Sequence, residues 1–332
     1  MSINELDIMI GETMSVKRAR ELNSKNYFYE ILKDNPKMAE IYPGVEDDIM
    51  EGSIDHHIHA FPDFVNRGQD MIEVAIDACK AKMRAVAFKD HWNITANAAY
   101  LTQRYIDSMY KNGELDHRVE VYGGIGLCHG ADPKVVHEAL KYPNMKMIWF
   151  PTFESAGYKR FAGKGYENGV PLCDANNEVL PGVVEIMEMA VEKKVGIGLG
   201  HTDYIELVPL AKKCKELGVR AVLDHPLLEL NKLKIDEMKN LADLGVYVGT
   251  YCQPMIPSLY QCIQDPFETV ETIKACGAER CCSGSDFGQV LHVYTVEGIR
   301  IFVRALLAFG ITPAELSVQL KDNPAKLMYL DD

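Results

Sequence analysis

The stretch Gly52-Ser53-Ile54-Asp55-His56-His57-Ile58-His59, running into Ala60-Phe61-Pro62-Asp63, decides how the chain is read. Alternate side chains of a strand share a face, so His57 and His59 are expected to point the same way with Asp55 behind them. The proline-containing turn ends the strand. Two neutral imidazoles held side by side where a strand gives way to a loop make half of a divalent-metal site. A His-x-His pair also occurs simply as two polar residues on a strand edge, so the rest of the chain has to decide.

Outward from this pair, short β-branched runs recur at 52–59, 84–89, 119–127, 146–151, 195–200, 220–224, 246–251 and 280–285. Amphipathic patterns between them predict helices over 70–82, 133–141, 181–194, 205–217, 234–244 and 266–276. Eight strands alternating with helices point to an α/β fold, a parallel sheet closed into a (β/α)8 TIM barrel, because right-handed crossovers put every strand's C-terminal end on one rim. A doubly wound open sheet competes, but it gives no reason for polar residues at so many strand ends. The barrel is expected to occupy residues 51–332. Residues 1–50 read as an N-terminal helical extension, with a helix over 16–32 and a closing turn at Tyr42-Pro43-Gly44.

The strand ends carry the chemistry. Strand one ends in His57 and His59, strand two in Lys89-Asp90-His91, strand five in Gly200-His201-Thr202-Asp203, strand six in Asp224-His225-Pro226 and strand eight in Ser283-Gly284-Ser285-Asp286. Any one of these groups alone reads as a satisfied strand-end or helix-capping group, Asp286 or Thr202 simply capping the next helix. A barrel instead collects residues far apart in sequence onto one rim, and histidine is scarce here, with 10 in the chain.

Composition sets the outer bounds. With 35 basic against 48 acidic residues the formal charge is −13, which repels phosphate backbones and argues against a nucleic-acid partner. No stretch approaches the ~18 uninterrupted apolar residues of a membrane span, and the first 20 residues lack the apolar core of a signal peptide. A cytoplasmic protein without a membrane partner, assembled as a homo-oligomer and acting on a small molecule, is the expectation. Nine cysteines without regular spacing fit reduced thiols used for packing; Cys281 and Cys282 would face opposite sides of a strand.

In order and in combination, Asp55-His56-His57-Ile58-His59, Gly200-His201, Asp224-His225-Pro226, Ser283-Gly284-Ser285-Asp286 and Asn323-Pro324-Ala325-Lys326-Leu327 resemble the amidohydrolase superfamily of metal-dependent hydrolases. Ala87-Phe88-Lys89-Asp90-His91 and Gly196-Ile197-Gly198-Leu199-Gly200-His201 further resemble an uncharacterised branch known by a domain-of-unknown-function label. The resemblance spans roughly residues 50–330. It implies that His57, His59, His201 and Asp286 surround a divalent metal, most simply zinc, with manganese or iron as alternatives. His225 would then be a ligand of a second ion or a catalytic imidazole, so one or two ions per chain are expected. Two-metal members place a bridging carboxylated lysine or glutamate on strand three or four. Here strand four runs into Glu154, and the lysine, Lys89, ends strand two.

A divalent ion makes water acidic enough to attack near neutral pH, and Asp286 would take and return the proton. Lys89 and His91, two apart at one strand end, are expected to face the substrate, and Arg67 sits in the loop after the histidine pair. Residues 153–181 form a long connection carrying Tyr158, Lys159, Arg160, Lys164 and Tyr166, read as a cationic lid over a small anionic metabolite or, equally, as a solvated or subunit-contact loop. Hydrolysis of an amide, cyclic amide or lactone is the leading reading. A metal-dependent decarboxylase or hydratase of a small carboxylic acid, a non-catalytic metal-binding barrel and, through Asp90-His91, a phosphoesterase are the others.

Overall fold

Apolar runs of three to seven residues, almost wholly buried, become eight strands: β1 (Ile54–Ile58), β2 (Ala85–Phe88), β3 (Glu120–Gly126), β4 (Met145–Trp149), β5 (Gly196–Gly198), β6 (Ala221–Leu223), β7 (Tyr247–Tyr251) and β8 (Cys281–Gly284). They pair in parallel in sequence order from β1 to β8. Just past the strand ends the seam between first and last closes: the Asp286 amide donates to the His57 carbonyl (2.9 Å), and the His59 amide to the Phe287 carbonyl (2.8 Å). The computed structural model, which describes residues 42–256 and 264–331, is therefore a (β/α)8 barrel. Both faces of its sheet are covered, which is why its strands read as continuous apolar runs.

The helices are α1 (Val45–Met50), α2 (Met71–Lys80), α3 (Ala96–Lys111), α4 (Pro133–Ala139), α5 (Ala156–Phe161), α6 (Pro181–Lys193), α7 (Tyr204–Leu217), α8 (Ile235–Asp243), α9 (Pro266–Cys276), α10 (Thr295–Ala308), α11 (Pro313–Ser317) and α12 (Asn323–Leu327). Several starts are written in the chain. Asp70 and Glu73 form a capping box, and Asp132 and Asp265 cap helices that open with proline. The periodicity missed α3, whose buried stripe is only Ala96, Ala99, Thr102 and Ile106. The expected helix over 16–32 lies outside the described residues. The segment nearest the barrel, α1, buries Val45, Ile49 and Met50 and pairs Glu46 with Arg304 of α10.

Inside the barrel, Ile54, Ala85, Met147, Ala87, Trp149, Val222 and Cys282 pack in layers above Leu327 and Met328, so the C-terminal segment plugs the floor. Asn323 holds it there, donating to the carbonyls of Ala278 (2.9 Å) and Cys281 (2.6 Å). Cys281 packs in the outer core and Cys282 in this inner one, on opposite sides of β8 as expected. Trp149 fits because β3 and β5 offer glycine: a Cβ on Gly124 would lie 2.4 Å from its Cζ3, and one on Gly198 2.4 Å from its Cδ1. Among the described residues no helix is long and apolar enough to cross a membrane.

Candidate metal centre

The β1–β2 register shifts between Asp55 and Ile58. Strict alternation is broken there. His56 and His57 both turn toward Tyr251 of β7, with ring centroids 6.0 and 4.9 Å away, while the Asp55 carboxylate accepts from the Ser285 amide across the seam (3.0 Å). Asp55 therefore ties β1 to β8 instead of standing behind the histidines. Asp286 follows β8 with φ 55°, a left-handed conformation that is costly for a residue with a Cβ and characteristic of functional positions. His225, beyond β6, has φ 49°.

These turns bring Asp286 Oδ1 to 3.4 Å from His57 Nε2 and 3.3 Å from His59 Nε2. One donor atom from each of the three residues lies within 4.8 Å of the others, and all three are buried. Burial holds the imidazoles of His59, His201 and His225 in the neutral, ligating form, the last with a pKa near 4. Burial alone would raise the Asp286 carboxyl, but His225, His57 and His59 outweigh it and keep the group ionised. Two buried imidazoles beside an ionised carboxylate are a nitrogen and oxygen donor set suited to a divalent ion. The Nδ1 atoms of His201 and His225, buried and without a hydrogen-bond partner, add donor capacity next to it. On these observations the residues fit a metal.

Support comes from behind. His57 Nδ1 faces Asp224 Oδ1 at 3.2 Å, and Asp224 also accepts from the Tyr251 hydroxyl (2.7 Å) and the Gly200 amide (2.9 Å). Burial opposes ionisation of Asp224, yet His57, Lys89 and His225 hold its carboxyl below the usual range. On the far side of His59, Arg67 reaches Nδ1 (3.0 Å) and pairs with Asp63 (2.7 Å), whose Oδ2 is 3.7 Å from the same nitrogen. Because arginine only donates, His59 Nδ1 accepts in this arrangement; a ligating Nε2 requires Asp63 to take over as its partner.

The other sequence-selected residues divide. Lys89 enters the centre, its Nζ 3.0 Å from His57 Nε2, its ammonium destabilised by burial and supported by Asp224 and Asp286. His225 Nδ1 lies 3.8 Å from Asp286 Oδ2, adjacent to the compact trio. His201 is one ring further out, its centroid 5.3 Å from that of His225. His91 stacks on His59 (4.8 Å, 24°) and bonds Thr152 (2.8 Å). Glu154 does not approach the trio; it pairs with Lys159 (2.5 Å).

The expected lid has structure of its own. Residues 153–181 contain α5, and Glu206 of α7 pins them by accepting from the amides of Leu172 (2.8 Å) and Cys173 (2.9 Å). Arg160 pairs with Asp203 (2.9 Å), so with Lys159 also paired, two of the three loop cations are neutralised and the positive charge nearest the histidines belongs to Lys89 and Arg67. Sequence reasoning assigned no role to Asp224, Tyr251 or Asp63. The first two end β6 and β7, a signal of the same kind as the histidines. Gly288 was also missed: it has φ 137°, and a Cβ there would lie 1.9 Å from the His59 carbonyl.

The chain is thus an in-order parallel (β/α)8 barrel with a histidine pair ending the first strand and an aspartate beyond the last. Residues 52–249 match the model of a family of unknown function, DUF6282, and the chain belongs to that family. Solved structures share the fold at low identity. A probable 2-pyrone-4,6-dicarboxylic acid hydrolase from Acinetobacter baumannii with citric acid bound is 13% identical, with a TM-score of 0.53, over 84% of this chain and 99% of that one. An amidohydrolase from Burkholderia multivorans with bound zinc is 13% identical, with a TM-score of 0.51, over 83% and 99%. An enzyme engineered for organophosphate hydrolysis from a weak promiscuous lactonase template is 15% identical, with a TM-score of 0.51, over 83% and 95%. No relative among the curated proteins matches the chain.

Proposed function

We propose that this protein is a metal-dependent hydrolase cleaving an amide, cyclic amide or lactone bond of a small metabolite. The observation that carries the reading is the buried convergence of His57, His59 and Asp286, with the His59 imidazole neutral and the carboxylate ionised. These three would hold the ion, with His201 and His225 flanking it. When bound, a divalent cation supplies Lewis acidity and lowers the pKa of coordinated water from 15.7 toward about 7. The zinc described for the Burkholderia barrel makes zinc the first metal to test.

The chain's own residues do the rest. Asp286 accepts the proton of the attacking water and delivers it to the leaving group. Lys89, buried beside His57, donates to the negative charge that develops on the substrate oxygen, where a low local dielectric makes a preorganised donor most effective. Asp224 fixes the His57 ring and the Tyr251 hydroxyl together. A second reading, decarboxylation of a small carboxylic acid, is favoured by the same ammonium, which would hold a carboxylate next to His57.

Elemental analysis of the purified protein is expected to find at least one divalent transition ion per chain, reduced in His57→Ala. Asp286→Asn is expected to lower kcat on lactones or cyclic amides by about 10²–10⁴-fold. Protein that carries no ion and takes none up on addition would remove the reading; carbon dioxide release from carboxylic acids without lactone or amide cleavage would select the decarboxylase.

A further inference from the structure

A second concavity adjoins the metal centre. Between the loops following β1 and β2 and the flank of α3 lies a cavity of about 740 Å³ lined by Pro62, Phe64, Trp92, Ile94, Leu101 and Val135 among others. That volume falls within the ~300–1,000 Å³ of small-molecule sites. Most of its polar members are already engaged. Asp63 is bound to Arg67 (2.7 Å); Asp90 accepts from the amides of Trp92 (2.7 Å) and Asn93 (3.0 Å); the Thr95 hydroxyl donates to the Phe88 carbonyl (2.6 Å). What remains for a ligand is mainly apolar, with the Asn93 and Asn97 side chains at its wall. Phe64 and Leu101 hold 77% and 67% of their surface in water, a cost that a hydrophobic ligand would remove.

The cavity lies beside the proposed chemistry. The Trp92 ring lies 5.6 Å from that of Phe64 and 5.4 Å from that of His91, and His91 stacks on His59 at 4.8 Å. Asp63 lines the cavity and also approaches His59 Nδ1, at 3.7 Å. One aromatic layer thus separates the wall from a metal-binding imidazole. We infer that this cleft is a subsite for a hydrophobic arm of the substrate, an aryl or branched alkyl group attached to the carboxyl-derived function that reacts at His57, His59 and Asp286; only that orientation rests on the hydrolase reading. The substrate class is then an arylalkyl or branched acyl derivative, and Lys89 and Arg67 meet its polar end.

The test compares binding of acetate, phenylacetate and 3-phenylpropionate to the full chain by calorimetry, with and without added Zn2+, and follows Trp92 fluorescence. At least tenfold tighter binding of the aryl acids than of acetate is expected. Leu101→Glu and Val135→Asp, each at a solvent-facing position, should remove that preference, with unfolding temperature measured to separate a lost cleft from a lost fold. Equal affinities across the series, or an aryl preference that survives both substitutions, would overturn the inference. Aryl preference that depends on Leu101 in a protein without metal or turnover would leave the cleft standing and the hydrolase reading fallen; turnover without aryl preference would do the reverse.

Discussion

At the scale of single residues the open chemical question is His225. It stands 3.8 Å from Asp286, its ring 5.2 Å from that of His57 and 4.5 Å from that of Tyr251, beside the three residues whose donor atoms converge. Placed beside the candidate ligand set and outside the compact trio, the side chain suits proton transfer or oxyanion stabilisation better than primary ligation. His225→Asn is therefore expected to keep the metal stoichiometry of the wild type and to lose at least tenfold in kcat. Loss of an ion in the variant, measured by elemental analysis, would make His225 a ligand and the centre binuclear. Lys89 shows why one residue can be found in the sequence while its role is not. Its position at a strand end is local information, but the 3.0 Å approach to His57 depends on how β1 and β2 twist past one another.

Among the elements, β5 is the shortest strand described together with β6, and it is mostly backbone, Gly196-Ile197-Gly198. The two glycines create space. A Cβ on Gly198 would meet Trp149 Cδ1 at 2.4 Å and Asp224 Oδ2 at 2.5 Å, both in the barrel interior. Gly198→Ala is expected to cost about 1–3 kcal/mol through overpacking and to weaken metal retention by displacing Asp224 from His57. Gly182→Ala is the control. In the first turn of α6, its Cβ would meet Pro133 no closer than 3.4 Å, and alanine is the better helix former. Chemical denaturation and metal analysis of the pair check the argument; equal stabilities would refute it. The strands themselves were legible as apolar runs. The structured loop at 153–181 was not, because Lys159, Arg160 and Glu206 act through partners that sequence distance does not reveal.

For the whole molecule, the converging donors bridge the seam where the barrel closes. His57 and His59 end the first strand and Asp286 follows the last, so an ion held by all three ties the two ends of the sheet together. An ion that binds the folded chain and not the unfolded one stabilises by RT ln(1 + [L]/Kd), about 2.7 kcal/mol at a hundredfold excess over Kd. Added zinc is accordingly expected to raise the unfolding temperature by roughly 1–2 °C per kcal/mol, and a chelator to reverse it. His57→Ala should abolish the response. A wild-type melting curve indifferent to both zinc and chelator would count against a metal at the seam.

The sequence by itself determined the number and order of the strands, the parallel barrel they imply, and the polar side chains that stand at their ends. Each of those is a local property: a buried strand needs a short apolar run, a helix start needs a cap, and a metal needs imidazole or carboxylate donors. Tertiary structure decided which donors meet. It turned His56 inward at a register shift, left His201 outside the compact trio, placed Lys89 against His57, paired two of the three cations of the long loop with Glu154 and Asp203, and opened a mainly apolar cleft beside Trp92. Distances between side chains on different strands are set by barrel twist and closure, and the pattern along any one strand does not contain them.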